Sequence, residues 1–326
     1  MKNTRLFGII LSGAFLALSS LAIARDFRAA DNQPPDYPTG MAMRYMGELI
    51  SKATNGKYNI KVYANSALGS GKDTAEQVKI GALEMARVST SEFHGIVPES
   101  VIPSFPFLFR GGDHFRNAMY GPVGDEILEA FDKYGYIGLC MYEGGTRSLY
   151  SKRPVRSVAD MKGMKVRVQP SDLWVSVISA MGATATPIPF SEVYTALKVG
   201  LVDAAENSYP SYEAMKHFET APVYSETEHV MAPDIVVFSK KLWQALSKED
   251  QAIIRKAAKD SVPYFTKLWL EKEQTAKKAV IDGGATLVEA KDIDHKSFVD
   301  AVRPVWDKFA VTPEQKSLVQ KIINTK

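Results

Sequence analysis

The chain has 326 residues, 45% of them hydrophobic and 24% charged, with a formal net charge of +3 at pH 7. That is the composition of an ordinary globular protein, long enough for one large or two medium domains. Its charges are interspersed, which excludes the basic footprint of a nucleic-acid binder, and its single cysteine, Cys140, excludes an internal disulfide.

The first segment reads as a targeting signal. Lys2 and Arg5 precede an apolar stretch over 6–22, and Ala22-Ile23-Ala24 forms an A-x-A cleavage site. A cleaved secretory signal peptide over 1–24 is expected, because the apolar run is short for a membrane anchor. No cysteine stands near the cut to carry a lipid, and no later stretch is apolar enough to span a bilayer, so a soluble mature chain is expected. Cys140 lies in the apolar segment 137–141 and reads as a small buried hydrophobe.

Strand and helix signals then alternate. Residues 27–30 read as a short strand and 32–38 as a polar, proline-rich turn. Met43, Tyr45, Met46, Leu49 and Ile50 give 41–53 helical spacing, and Asn55-Gly56 ends it. Residues 58–63 alternate with period two, 73–80 form a helix closed by Gly81, and 83–88 form a third strand. This order implies a sheet covered by helices. The second half repeats it: strands over 137–142 and 164–168, a helix over 173–181 stopped by Gly182, a helix capped by Ser191 through 197, and a strand over 202–205. No linker or repeat is present, so two domains would be joined by several chain crossings, an arrangement that makes a hinge with a ligand in the cleft. The last third is mainly helical. Ser247 with Asp250 opens a long helix striped with Ile254, Ala258, Val262, Phe265 and Trp269, in which Pro263 predicts a kink. Thr312-Pro313-Glu314-Gln315 is a capping box that starts a final helix.

Catalytic and cofactor signatures are missing. His94, His114, His217, His229 and His295 are scattered, without metal-site spacing. Gly69-Ser70-Gly71-Lys72 fails as a phosphate loop, because Ser66 and Asp73 stand where Gly and Ser or Thr are needed. It fails the dinucleotide pattern at Thr74 and reads as a turn opening a helix. What remains is a polar constellation: Arg147 after Glu143-Gly144-Gly145-Thr146, Arg167 between two valines on a strand, and Asn207 after Glu206. A strand-borne arginine is expensive to bury unless it meets a carboxylate. Spacing alone leaves open whether that carboxylate belongs to a ligand or to the protein, for instance to Glu206.

Several ordered blocks then carry a resemblance. They are 159–168 (ADMKGMKVRV), 181–183 (MGA), 187–197 (PIPFSEVYTAL) and 200–207 (GLVDAAEN), with Pro106-Phe107-Leu108-Phe109 and Ala67-Leu68-Gly69. Together they resemble the DctP-like solute-binding proteins of tripartite ATP-independent periplasmic (TRAP) transporters, across essentially the whole mature chain. The resemblance implies an α/β, periplasmic binding protein-like fold of two α/β lobes around a central cleft, with a long bent helix over 247–282 crossing both. Lobe I is expected over 25–144 plus 233–272 and lobe II over 145–232 plus 273–326. The resemblance makes Arg167 the clamp for a ligand carboxylate, with Arg147 and Asn207 completing the grip from lobe II. Asn32 and Ser89 are expected to face them from lobe I. Asp36, Arg87 and Gln169 are further candidate contacts, and Phe190 and Tyr212 candidate stacking surfaces.

The implied role is the periplasmic capture of a small organic acid by a monomer and its delivery to the small and large integral membrane subunits, with no cofactor and no nucleic acid. Blocks 30–39 and 206–213 resemble a hexuronate-binding branch, so glucuronate or galacturonate is the expected ligand class. A C4-dicarboxylate or another hydroxy or keto acid is the alternative within the family. A secreted sugar-acid lyase is the alternative of another class, and it would need a general base that the matched blocks do not supply.

Overall fold

The computed structural model describes residues 25–326. The expected signal peptide over 1–24 lies outside the described residues. Among the described residues nine strands form one mixed sheet: β1 (Arg25–Asp31), β2 (Tyr58–Tyr63), β3 (Met85–Ser89), β4 (Tyr136–Ser151), β5 (Lys165–Val168), β6 (Thr184–Pro187), β7 (Ala204–Asn207), β8 (Val223–Ser239) and β9 (Thr286–Val288). The helices are α1 (Pro38–Ala53), α2 (Gly71–Ile80), α3 (Gly112–Met119), α4 (Pro122–Ala130), α5 (Asp172–Ala180), α6 (Val193–Lys198), α7 (Tyr209–Ala214), α8 (Lys240–Trp243), α9 (Lys248–Asp282), α10 (His295–Phe309) and α11 (Pro313–Asn324).

The strand order is β2-β1-β3-β8-β4-β7-β5-β6, with β9 beside β8. It places two parallel trios, β2-β1-β3 and β7-β5-β6, on either side of a long antiparallel pair, β8 and β4. Those two strands run from one trio to the other, so they are the main covalent crossings of the cleft. The β4–β8 register breaks between Glu143 and Thr146, at Gly144-Gly145. A Cβ on Gly144 would stand 2.3 Å from the Ala232 carbonyl oxygen. Gly145 has φ +75°, and its Cβ would meet Trp269 at 2.6 Å. Only glycine lets the two backbones approach this closely and bend here.

Much of the local reading holds. Ser70 caps α2 with a reciprocal Asp73 bond, Ser247 caps α9, and Thr312 with Gln315 forms the capping box of α11. Helix α9 contains Pro263 and packs against α1, α7 and β4, touching elements on both sides of the cleft. Cys140 is buried beside Tyr142 and Ser261, and burial pushes its thiol up to about 12, which leaves it inert. Three local expectations are corrected. Ser191 caps nothing: Phe190–Glu192 is a 3-10 turn leading into α6. The strand expected over 202–205 is β7, two residues later, so Asn207 closes the strand instead of following it. The strand expected over 137–142 continues through the two glycines to Ser151.

Among the described residues no helix is long and apolar enough to cross a membrane.

Candidate functional site

In an open α/β sheet, crevices form outside the carboxyl ends of the parallel strands. Here the ends of β1, β3, β5 and β7 converge on one cavity. It is lined by Asn32, Arg87, Ser89, Arg167, Gln169 and Asn207, and also by Arg147, Phe190, Gly144, Gln33, Tyr37, Glu92, Ser211 and Asp234. The cavity measures about 40 Å³. Past Asn32, Glu92 and Phe190 it adjoins a hollow of about 310 Å³ bounded by Lys72, Asp73 and Glu192.

Three arginines reach this cavity, and their partners divide them sharply. Arg87 is 2% exposed and sits between two acids: Nη2 donates to Asp31, its register neighbour on β1, and Nη1 lies 3.1 Å from Asp234. Burial pulls this guanidinium down, but the two carboxylates outweigh it and hold the charge firmly. Arg87 Nη2 also donates to Asn32 Oδ1 at 2.8 Å, which fixes the Asn32 side chain at the rim.

Arg147 is likewise neutralised. Its Nε and Nη2 grip the two oxygens of Glu206 at 2.6 and 2.8 Å, and Nη1 donates to Asn207 Oδ1 at 2.9 Å. Glu206 is fully buried, so this is a bidentate pair inside the fold. Burial lowers the Arg147 guanidinium, and Glu206 more than restores it.

Arg167 has no such acid. It is 1% exposed on β5, Nε donates to the Ile188 carbonyl at 2.8 Å, and among the described residues no acid pairs with it. Among the described residues its Nη1 and Nη2 have no hydrogen-bond partner. Burial drives this guanidinium below its ordinary value, and nearby Arg147 pushes the same way. A guanidinium with a free two-donor fork matches the two oxygens of a carboxylate. The choice that spacing left open is resolved: Glu206 belongs to Arg147, not to Arg167.

The neutral groups fit the same geometry. Asn207 Oδ1 accepts from Arg147 and from the Ser208 backbone N–H at 2.9 Å, so its amide N–H₂ is left facing the cavity. Gln169 Nε2 and Gln33 Oε1 are buried and have no hydrogen-bond partner among the described residues. Ser89 Oγ accepts from the Ser91 N–H at 3.3 Å and lies at the rim. Phe190 stands 6.0 Å from the Arg167 guanidinium and forms one wall.

Two predicted contacts fall outside. Asp36 is exposed on the turn after β1 and does not line the cavity, because Tyr37 turns inward instead. Tyr212 is fully buried behind the site, 4.7 Å from the Tyr150 ring and 5.0 Å from Tyr224, with its hydroxyl donating to the Ala221 carbonyl. It is core, not a stacking wall. Residues 32–38 carried the signal for Gln33 and Tyr37, which that turn delivers to the cleft. Glu92 and Asp234 had no signal: one follows a strand in a 3-10 turn, and the other lies on β8, which local periodicity does not reveal.

Several hydrogen bonds join the two sides beside the cavity. Gln33 Nε2 and Tyr37 Oη both meet Ser211 Oγ, at 3.2 and 2.9 Å; Trp174 Nε1 donates to Ser91 Oγ at 2.8 Å; His94 Nδ1 meets Ser171 Oγ at 2.7 Å. A larger groove of about 860 Å³ lies between α4, β4 and α9, but its floor is apolar and its Arg116 is paired with Asp113 and Glu143. Among the described residues it holds no free buried charge.

The chain matches the family described as bacterial extracellular solute-binding protein, family 7, over residues 29–312. A solute-binding protein of Chromohalobacter salexigens is 37% identical over 325 residues, covering 99% of this chain and 95% of that one. Among solved structures, a TRAP periplasmic solute-binding protein from Bradyrhizobium sp. in complex with α/β-D-galacturonate has 54% identity and a TM-score of 0.90, covering 92% of this chain and all (100%) of that one. Another, from Chromohalobacter salexigens with bound D-glucuronate, has 37% identity and a TM-score of 0.88, covering 92% of this chain and 100% of that one. The fold, the cleft and these likenesses agree: the chain belongs to the bacterial extracellular solute-binding protein family 7, the solute-binding proteins of TRAP transporters.

Proposed function

We propose that the chain binds a hexuronate, galacturonate or glucuronate, in the cleft and delivers it to the small and large membrane subunits of a TRAP transporter. The observation that carries this reading is the Arg167 fork, buried and, among the described residues, without an acid partner. In this reading Arg167 holds the ligand carboxylate by two parallel charged hydrogen bonds, and the Asn207 amide donates to the same group or to a neighbouring hydroxyl. Arg147 acts through Asn207, whose amide it orients. Asn32, Ser89, Gln169 and Gln33 offer neutral donors and acceptors to ring hydroxyls, and Phe190 offers a wall for C–H faces. The neighbours crystallised with galacturonate and glucuronate support the ligand class.

We further propose that lobe I runs over 25–144 plus 233–272 and lobe II over 145–232 plus 273–326, with α11 seated back on lobe I through Gln315, which donates to the Pro98 carbonyl. Support comes from the register break at Gly144-Gly145 and from the cavity's size. About 40 Å³ holds roughly three waters, so a sugar ring is admitted only when the walls part. The two lobes then open and close about β4 and β8. The same reading makes the mature chain a periplasmic monomer, released by cleavage after Ala24, that performs no chemistry on its ligand.

The test is a thermal-shift screen of the mature protein against galacturonate, glucuronate, succinate, malate and pyruvate. A ligand at a hundred times its Kd stabilises by about 2.7 kcal/mol. Stabilisation by a uronate is expected. A strong response to succinate or malate, with none to either uronate, would overturn the ligand class and leave the family intact.

A further inference from the structure

The charges around the cleft are segregated by lobe. On the lobe II side Arg147 and Glu206 cancel, which leaves Arg167 as the one uncancelled cation facing the cavity among the described residues. On the lobe I side Arg87 is shared by Asp31 and Asp234, so that cluster keeps a net negative charge. A second negative group stands beside it. Glu92 follows β3 in the 3-10 turn Thr90–Phe93 and lines both the inner cavity and the outer hollow. Among the described residues its carboxylate accepts no hydrogen bond and makes no ion pair. It is held in place by packing: a Cβ on Gly71 would lie 2.8 Å from Glu92 Oε1, so the start of α2 is pressed against it.

Resting on the hexuronate reading, we propose that Glu92 and the Asp31–Arg87–Asp234 cluster form a charge filter that admits acids with one carboxylate and rejects diacids of the same chain length. A ligand anchored at Arg167 and reaching toward lobe I ends against this acidic wall. A hydroxyl there donates a hydrogen bond to a carboxylate. A second carboxylate has nothing to donate, and it meets like charge in a dry site. Rejection of the wrong partner by a repulsive group is a common route to specificity. Burial pushes the Glu92 carboxyl up to about 7, although Arg167 and Lys72 pull it down, so Glu92 carries its charge on the alkaline side of that value, and the filter acts there. Asp73 on α2 and Glu192 in the outer hollow extend the acidic rim, with Lys72 the one cation among the residues bounding that hollow.

The experiment is calorimetric titration of the full mature chain at about pH 8.5, where Glu92 is ionised, with three monoacids (galacturonate, glucuronate, gluconate) and four diacids (galactarate, glucarate, succinate, malate). The same series is then run on Glu92→Gln, whose fold is checked by its melting curve. Galactarate is expected to bind at least 100-fold more weakly than galacturonate. In Glu92→Gln that ratio is expected to shrink at least tenfold, whatever happens to uronate affinity itself. A diacid bound by the wild type within tenfold of the best monoacid would overturn the filter, and so would an unchanged ratio in Glu92→Gln. Binding of gluconate without either uronate, with the diacids still rejected, would overturn the hexuronate reading and keep the filter. Failure of every acid to bind would overturn both.

Discussion

Substitution of Arg167 separates a ligand clamp from a structural arginine, because the two roles predict opposite effects on stability. Among the described residues the Arg167 side chain has one hydrogen bond, from Nε to Ile188, and no acid partner. In Arg167→Met the ligand loses two charged hydrogen bonds of about 1.5–3 kcal/mol each. Affinity for galacturonate should therefore fall by a factor of roughly 10²–10⁴. Arg167→Lys keeps the charge but not the fork, and should lose roughly 10–150-fold. The ligand-free protein should respond differently. Removing a buried, uncompensated cation in favour of an apolar side chain of similar volume is neutral or stabilising by about 1–3 kcal/mol. The unliganded Arg167→Met variant should thus melt at or a few degrees above the wild type. Arg147→Met is the control. It strands Glu206, which is fully buried, and should destabilise by about 3–5 kcal/mol. Paired calorimetric titrations and ligand-free melting curves test this. If Arg167→Met is destabilised as much as Arg147→Met and still binds galacturonate normally, Arg167 is structural and the clamp is refuted.

Ser211→Ala removes the hydroxyl that both Gln33 and Tyr37 meet across the cleft, so the closed form loses two hydrogen bonds of about 1 kcal/mol each. Affinity should fall by roughly 5–30-fold, and small-angle scattering of the ligand-free variant should show a larger radius of gyration than the wild type. His217 gives a pH signature. It is fully buried against Tyr150, and burial, with Arg167 adding to it, lowers its imidazole from 6.5 to about 3. The folded protein therefore binds fewer protons than the unfolded chain between these values. The stability His217 contributes is complete above pH 6.5 and is lost as pH falls toward 3, at about 1.4 kcal/mol per pH unit. Wild type and His217→Asn should diverge over that window in acid melts, the variant showing the shallower loss; parallel curves would contradict the assignment.

How much of this was legible in the sequence depends on distance along the chain. Elements set by local chemistry could be read directly: the period-two strand over 58–63, the capped start of α9 at Ser247, the Thr312 capping box. The strand β8 could not. Its 17 residues include Glu226, Glu228, His229 and Pro233, which break any alternation. They are tolerated because β4 and β3 supply its ladder from far away in sequence, and because Glu226 is held by Lys277 and Tyr209. Gly144-Gly145 lies past the end of the strand expected over 137–142, yet it is a bulge within a continuous strand, since the partner that keeps it extended is β8.

The site follows the same rule. Arg167 was visible because an arginine between valines on a strand needs an explanation. Which of Arg147 and Arg167 owned Glu206 was not visible, since that depends on the β4–β7 register, where Leu149 opposes Glu206 and Ser148 opposes Asn207. Tyr212 looked like a stacking wall because its polarity and position suit one. Its place is decided by the aromatic cluster of Tyr150 and Tyr224, which no local pattern announces.

The central claim is that a carboxylate, held by Arg167, provides the grip on a sugar-sized ligand. Galacturonate and galactose share their ring hydroxyls and differ at the carboxylate, so calorimetric titration of the wild type with both isolates that group. The account predicts saturable binding of galacturonate and affinity for galactose weaker by a factor of roughly 10² or more, in line with the loss of two charged hydrogen bonds. Galactose bound within a few-fold of galacturonate would contradict it.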